Sequence, residues 1–536
     1  MVNKRYYFEG SPSFKKRFYY LILGVGTIYT STLLTIYNLT HINYSSFMSY
    51  LFLFVHAIWY VIIFNHAVTL MRLYYYRDLP YQEISNQKNL PTITLATVFY
   101  KEPDEVIEQT VQVLRKIDYP KNKLKIVAVE DLDGKESARK YFEQLKSEGL
   151  NLEYVTRNNR RGYRGGALNE VLKQTDTKYL VVLDIDHMPL PHILKRLAAY
   201  AESNPQYDVI MFPQRFRNWN TNSITLASHV GYVFDYEVSR KGKSVTNSAF
   251  CVGTNWIAKV ESIKKAGGFD ENSIVEDMAT SMKLWHPYGL KIGLANEVLA
   301  CGLVPDTLRK FRKQQFRWAN GAFDMFKTYL KNFLNFSFFQ KFDYIFFIMW
   351  YLVGISSIVS QFFPLSTVLG FNFLVVTDFY EYLFIVIALT ILQVMLFALP
   401  LVASGYNLAA TLKSQSVGLL IAETYTKALI SSLIGRKIPF VITPKAAKKQ
   451  SMLKLIWESK LIVFLLAVNI LVILFCLADL SLTSLVTMFW SAYNSSWCIS
   501  ALYNISLDIL SSDRRNKLVK VKNEICTTYF NKAVLH

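Results

Sequence analysis

Three observations predict an α/β domain, built on a mostly parallel, doubly wound sheet and inserted in an α-helical bundle of about six transmembrane spans. The 536-residue chain is 52% hydrophobic and 15% aromatic, too apolar for one water-soluble domain and too polar for a bundle of spans alone. Runs of about 20 apolar residues flank a long polar segment on both sides. Within that segment, short apolar strands alternate with helical stretches.

The apolar runs lie near residues 18–39, 48–71, 343–365, 379–403, 455–477 and 484–508. An even number of crossings puts both termini on one side. The connectors 40–47, 366–378 and 478–483 hold no Lys or Arg, whereas basic residues gather before the first run, in the polar segment, around 404–454 and from Arg514 onward. Those parts, the polar segment and both termini among them, are therefore expected on the cytoplasmic face of a multi-pass plasma-membrane protein. The first run has no small-residue cleavage site and is too long for a signal core, so it reads as a retained span. The net charge of +19 comes from clusters beside apolar runs, such as Lys15, Lys16 and Arg17, which suit the anionic surface of a lipid bilayer; no nucleic-acid partner is expected. The cysteines are scattered without the spacing of a zinc site.

The division that follows is an N-terminal segment with two spans over 1–89, a polar domain over 90–325, an interfacial helix with two spans over 326–403, interfacial helices and a loop over 404–454, two more spans over 455–510, and a tail over 511–536. In the polar domain, Thr92 to Val98 and Leu124 to Val129 read as buried strands separated by a helix from Pro103 to Ile117. Tyr154-Val155, a helix from Gly166 to Gln174 and the strand Tyr179 to Leu183 continue the alternation. Ligands of such sheets bind at the carboxyl ends of the strands. Two acidic clusters stand there, Glu130-Asp131 and Asp184-Ile185-Asp186-His187. Positions i and i+2 of an extended segment face the same way, so Asp184 and Asp186 present carboxylates on one side with His187 beside them. A hard divalent cation takes one or two carboxylates plus substrate phosphates, which suits a nucleoside-diphosphate ligand; the plain alternative is a polar end to a strand.

The ordered set Tyr100-Lys101-Glu102-Pro103, Glu130-Asp131, Asp184-Ile185-Asp186-His187, Glu276-Asp277 and Gln314-Gln315-Phe316-Arg317-Trp318 resembles the processive family-2 glycosyltransferases, in particular their cellulose synthase-like branch. Over roughly 90–450 the likeness is to the bacterial cellulose synthase catalytic subunit. The resemblance implies a GT-A domain using Mg2+ or Mn2+ and a UDP-sugar donor, UDP-glucose before others. It implies a growing β-linked polysaccharide as acceptor, threaded across the membrane, with an accessory export subunit or a homo-oligomer as further partners. On it, Asp131 and Asp184 contact the sugar nucleotide, with Glu130 sharing that task, and Asp186 with His187 holds the metal. Asp277 is the general base of a single inverting displacement, and Arg317 and Lys445 supply cations to the leaving diphosphate. Gln314 and Gln315 offer forked amides to diphosphate and sugar, Trp318 a flat face for the terminal sugar, and Cys251, in Phe250 to Asn255, lines the acceptor. Taken without the resemblance, Glu276-Asp277 equally fits an acidic cap on a helix from Met278 to Trp285, and Trp318 an interfacial anchor.

Departures from the family are informative. Glu130-Asp131 stands where two aspartates are common, and Arg164 precedes Gly165-Gly166-Ala167-Leu168-Asn169 where Lys is usual, so a planar fork replaces a point charge. With the short tail over 511–536, no cyclic-di-GMP-binding module is expected within these residues. Phe440 to Lys445 resembles a gating loop of the Phe-x-Val-Thr-x-Lys type, and the Trp-Gly-Thr-Arg segment of hyaluronan and chitin synthases is missing. Other readings are those synthases, a single transfer to a lipid acceptor, and a transporter that senses nucleotide. If Thr443 and Lys445 enter the site with the donor, Thr443→Ala and Lys445→Ala will each lower sugar incorporation into membranes. Unchanged incorporation in both would rule the gating loop out.

Overall fold

The structure, a computed structural model, describes residues 13–131, 134–435 and 456–510. Thr443 and Lys445 lie outside the described residues. Between two N-terminal helices and a C-terminal helical region stands a seven-stranded sheet in the order β3-β2-β1-β4-β8-β6-β9. Its strands are β1 Ile93–Phe99, β2 Leu124–Asp131, β3 Leu152–Arg157, β4 Tyr179–Asp184, β6 Val209–Met211, β8 Trp256–Lys259 and β9 Ile292–Leu294. A smaller sheet joins β5 Met188–Pro189, β10 Ala300–Gly302 and β7 Arg215–Phe216. The larger sheet is mostly parallel; β8 alone runs against its neighbours β4 and β6.

All seven residues of β1 are buried, as a central strand covered on both faces demands. Side-chain alternation then sorts the sheet into two cores. Leu95, Ile126, Ala128, Val181 and Leu183 pack on one face, and Ala96, Val98, Val127, Val129 and Val182 on the other. The chain builds β1, β2 and β3 outward in one direction and then returns to lay β4 against the opposite edge of β1. That reversal is the switch point at which a crevice opens beyond the strand ends. The register pairs Val98 with both Val129 and Asp184, and Asp131 with Arg157. Asp131 and Asp184 therefore share the face of Val98, and Glu130 must face the opposite core.

Three helices are long and apolar enough to cross a membrane: Lys15–His41, Phe47–Arg72 and Phe379–Ala403. A fourth candidate is a pair, Phe338–Trp350 and Val353–Val368, bent by 49° where one span over 343–365 is expected. The count among the described residues is thus three or four, against the six expected. The Lys460–Cys476 helix has 17 residues, shorter than the roughly 20 a crossing needs. The Leu482–Leu510 helix has 29 residues but is interrupted by Thr487, Ser491, Asn494, Ser495 and Asn504, which lower its hydropathy. Helices Leu408–Leu419 and Ala422–Leu433 occupy the stretch expected to hold interfacial helices.

One buried ion pair ties two of the membrane-candidate helices together, and a hydrogen bond from Ser248 links it to the sheet domain. Arg72, at the end of the second helix, donates to Asp343 Oδ2 at 2.6 Å, and Ser248 and Asn65 donate to the same carboxylate. Both charged side chains are at most 8% exposed, so removing one partner leaves an uncompensated charge. Asp343→Ala is expected to cost about 3–5 kcal/mol of stability; a thermal melting curve in detergent unchanged from wild type would contradict this.

Candidate active site

At the switch point the crevice becomes a cavity of about 1130 Å3. Tyr100, Asp131, Arg160, Asp184, Asp186 and Asp277 line it beside the sheet, and Trp318, Gln393, Gln415 and Trp497 line it among the helices. One space therefore joins the strand ends to the helical bundle.

Asp131 is buried at the end of β2, where Arg157 Nη1 donates to Oδ1 at 2.7 Å and Arg160 Nε lies 3.4 Å from Oδ2. Burial pushes its carboxyl up, and the two guanidiniums oppose the shift. Arg160 in turn lies 3.8 Å from the centre of the Tyr100 ring, a cation over an aromatic face. Glu130 goes the other way, as strand alternation requires: it accepts from the Tyr154 hydroxyl and from Lys135 N, away from the cavity. Cys251 also falls outside the cavity wall. It is buried in the core, its backbone N–H donates to Ser281 Oγ, and burial raises its thiol far above the usual range. Its neighbours Val252 and Gly253 reach the wall instead.

The ligating atoms of Asp184, Asp186 and His187 all lie within 4.8 Å of one another. Backbone groups fix this cluster. Thr254 Oγ1 accepts from Asp184 N at 2.8 Å, and Leu303 N donates to Asp186 Oδ2 at 3.1 Å. Gly302 in β10 lies flat against the His187 ring, so close that a Cβ there would fall on it. Both His187 nitrogens are buried without a hydrogen-bond partner, Nδ1 lying 3.6 Å from Asp186 Oδ1. Orphaned ring nitrogens are costly in a protein interior. Two carboxylates and a free imidazole edge fit a divalent cation such as Mg2+ or Mn2+.

Arg164 binds the halves of the site together. Its Nη1 meets Asp184 Oδ1 at 2.5 Å, its Nε meets Glu276 Oε1 at 2.9 Å, and Nη2 donates to Gly253 O. The helix that carries it, Tyr163–Lys173, starts after Gly162 in the left-handed region at φ +71°. It lies so tightly on the Phe269-Asp270 segment that a Cβ at Gly165 would strike Asp270 O. The glycine beside Arg164 thus sets how far the guanidinium reaches.

Glu276 and Asp277 open the helix Glu276–Thr280, whose N-cap is Val275. Asp277 is therefore a first-turn residue and not the cap itself, although its Oδ1 accepts from Met278 N at 2.8 Å. Burial first, then the Asp277 charge, pushes the Glu276 carboxyl up to about 7, with Arg164 opposing. Asp277 is also raised by burial, against the Met278 N–H and Arg240. Two adjacent carboxylates in such a place titrate as a pair. Arg317, on the helix Leu308–Asn332, lines the same cavity, and burial lowers its pKa against the field of Glu276, Tyr232 and Asp277. Gln314 and Trp318 share the wall, and Trp318 meets Tyr232 edge-on at 5.9 Å. Gln315 accepts from the Tyr425 hydroxyl at 2.7 Å, which seats the helix against Ala422–Leu433. Trp318 faces the cavity, not an outer surface.

Arg157, Arg160, Tyr232 and Arg240 escape a motif reading. For Arg157 a signal existed: Thr156-Arg157 directly follows the expected strand at Tyr154-Val155, and a parallel neighbour of β2 brings such a residue beside Asp131. Tyr232 and Arg240 belong to a continuous helical run, through the π-helical turn Asp235–Arg240, with no local mark of function.

Residues 179–402 match the sequence profile of glycosyl transferase family group 2. The chain carries a family-2 glycosyltransferase domain. Among curated relatives, a probable glucomannan 4-beta-mannosyltransferase of Oryza sativa is 27% identical over 244 residues, 44% of this chain and 41% of the relative. A glucomannan 4-beta-mannosyltransferase of Arabidopsis thaliana is 27% identical over 261 residues, 47% of this chain and 48% of the relative. The UDP-forming cellulose synthase catalytic subunit of Pseudomonas fluorescens is 25% identical over 273 residues, 50% of this chain and 36% of the relative. Each match spans less than half of the relative's own length. Among solved structures, a mannosyltransferase from Pyrobaculum calidifontis in complex with GDP-Man and Mn2+ is 15% identical, with a TM-score of 0.46 over 71% of this chain and 97% of that one.

In this glycosyltransferase domain the raised carboxyl pair has a kinetic signature. With Asp277 as the expected base, the rate should fall as pH drops through the pair's raised apparent pKa, because a base must be deprotonated. Glu276→Gln removes one negative neighbour and frees Arg164 from its partner, and both changes favour the ionised form of Asp277. The acid limb of kcat/KM should move to lower pH in that variant; an unmoved limb would show that the pair does not control it.

Proposed function

We propose that this protein is a membrane-embedded, metal-dependent, inverting glycosyltransferase that polymerises a β-linked polysaccharide from a UDP-sugar, UDP-glucose first, and passes the product through its own helical bundle. The observation that carries this reading is the single cavity running from the acidic strand ends to the helices. An enzyme making one short transfer has no use for an extension past Trp318, walled by Gln393, Gln415 and Trp497. Those side chains pair forked amides with an aromatic face, the combination that sugar hydroxyls and apolar sugar faces take up. We also keep all six apolar runs as crossings, with the polar residues of the last one turned inward.

In this mechanism Asp131 and Arg160 with Tyr100 hold the base end of the nucleotide, and Asp184, Asp186 and His187 would hold the cation. When bound, the cation neutralises charge on the departing diphosphate. Asp277 accepts the proton of the acceptor hydroxyl as its oxygen forms the new bond to the anomeric carbon. The bond from that carbon to the diphosphate oxygen breaks on the opposite face, and its electron pair leaves with the nucleoside diphosphate, which inverts the configuration. Arg317 and Arg164 keep positive charge against the leaving group, and Trp318 supports the acceptor ring. An elevated carboxyl pKa suits this role, because a base is most effective with a pKa near working pH.

A mannosyl donor is the second reading, favoured by relatives named as glucomannan 4-beta-mannosyltransferases. Radiolabelled donors offered to purified membranes, with product sized on a gel, discriminate the cases. A polymer from UDP-glucose is expected, and Asp277→Asn should lower its rate by about 10²–10⁴-fold. A single-sugar lipid adduct would refute polymerisation, and full activity in Asp277→Asn would refute the base assignment.

A further inference from the structure

Asn469 is the one polar side chain between Lys460 and Cys476 in an otherwise apolar helix. It is fully buried and does not line the cavity. Its Nδ2 donates to Leu465 O at 2.9 Å within its own helix and to Gln361 Oε1 at 3.2 Å, with Gln361 O at 3.4 Å; its Oδ1 accepts from Asn494 Nδ2 at 3.2 Å. Gln361 and Asn494 both do line the cavity. One amide thus clamps two cavity-wall amides from behind.

Each part of the clamp has a local cause. Gln361 stands at a break between the helical pieces Val353–Ser360 and Phe363–Val368. Pro364 has no N–H to offer Ser360 O, so the helix cannot run through unchanged. The break leaves Gln361 O to accept from Asn469. An asparagine in the middle of an apolar helix is expensive unless bonded, and this one spends its bonding capacity on Gln361, Asn494 and its own turn. Helix adhesion alone would need one such bond. Here the bonds engage Gln361 Oε1 and Asn494 Nδ2, which leaves the Gln361 amide N–H groups as donors and Asn494 Oδ1 as an acceptor for the space in front of them.

We propose that Asn469 is a positioning residue: it orients Gln361 and Asn494 as a hydrogen-bonding station for the hydroxyls of a saccharide chain passing through the bundle. This rests on the polymerising function proposed above. The station lies in the bundle, away from Asp277, so its loss should affect how far a chain is extended and not how the donor is activated.

The test uses the full-length enzyme in lipid vesicles with radiolabelled donor, reading product length and donor hydrolysis separately. In Asn469→Leu, mean product length should fall about threefold or more, the scale of one lost interhelical hydrogen bond, while donor hydrolysis stays at the wild-type rate. Asn494→Leu should shorten product as well, and the double variant should shorten it no further than the stronger single one, because both break the same device. Full-length product from Asn469→Leu, or shortening that adds in the double variant, overturns the proposal. If Asn469→Leu fails to show a folded thermal transition, Asn494→Leu carries the test, and full-length product from it also overturns the proposal. Failure of the underlying reading is seen separately, as a wild-type enzyme that makes no polymer at all.

Discussion

The contact on which the site depends is the Arg164 guanidinium held between Asp184 and Glu276. Asp184 ends a strand of the sheet and Glu276 begins a helix far along the chain, so this one planar group fixes the distance between the strand end and the helix start. It also makes their burial tolerable. Glu276 is buried, with Asp184 and Asp277 partly buried in the same cavity wall, and uncompensated like charges there are costly. Arg164 on one side and Arg317 on the other offset most of that charge, and what remains appears as the raised carboxyls of Glu276 and Asp277. A lysine could supply the same charge at this position but not meet two carboxylates and donate to Gly253 O at once.

That geometry explains why the glycines after Arg164 are needed. The helix can approach the Phe269-Asp270 segment only without a Cβ at Gly165, and a retreat of the helix would withdraw the guanidinium from one carboxylate or the other. Asn169 secures the far end of the contact, exchanging hydrogen bonds with Phe269 N and O and reaching Glu271. A stretch that reads in the sequence as a small-residue helix start is thus a spacer for the charge above it.

Local periodicity made the sheet legible. Runs such as Thr92 to Val98 and Tyr179 to Leu183 are apolar at every position because helices cover both faces of their strands, and the acidic residues at their ends mark the crevice. Glu130 turns away from the cavity for a related reason. Motif position says that a residue is near the site, but the two-residue period of a strand decides which side it faces, and Glu130 has the parity of Ile126 and Ala128. Arg160, Tyr232 and Arg240 reach the cavity through tertiary packing that no local pattern encodes. The spans were harder still. A break such as the one between Trp350 and Val353 is invisible to a window that averages hydropathy, and the last helix mixes apolar and hydroxyl residues because one side of it meets other polar groups.

The polar residues in the bundle follow from the same constraint as the charges at the strand ends. Helices packed in an apolar setting gain nothing from an exposed amide, so each buried one has a partner or faces a polar space. Asn469 has its partners behind the wall, and Gln361 and Asn494 have the cavity in front of them. A hydroxyl-bearing chain moving through such a space must lose its hydration shell and recover hydrogen bonds at each step, yet no station can hold it tightly, since a strong site would stop the movement. Neutral amides meet both demands. They replace water's hydrogen bonds without the depth of an ionic contact, and that is consistent with the change in wall chemistry along the cavity, from arginines and carboxylates where a charged nucleotide would sit to amides and aromatic rings where only sugars would pass.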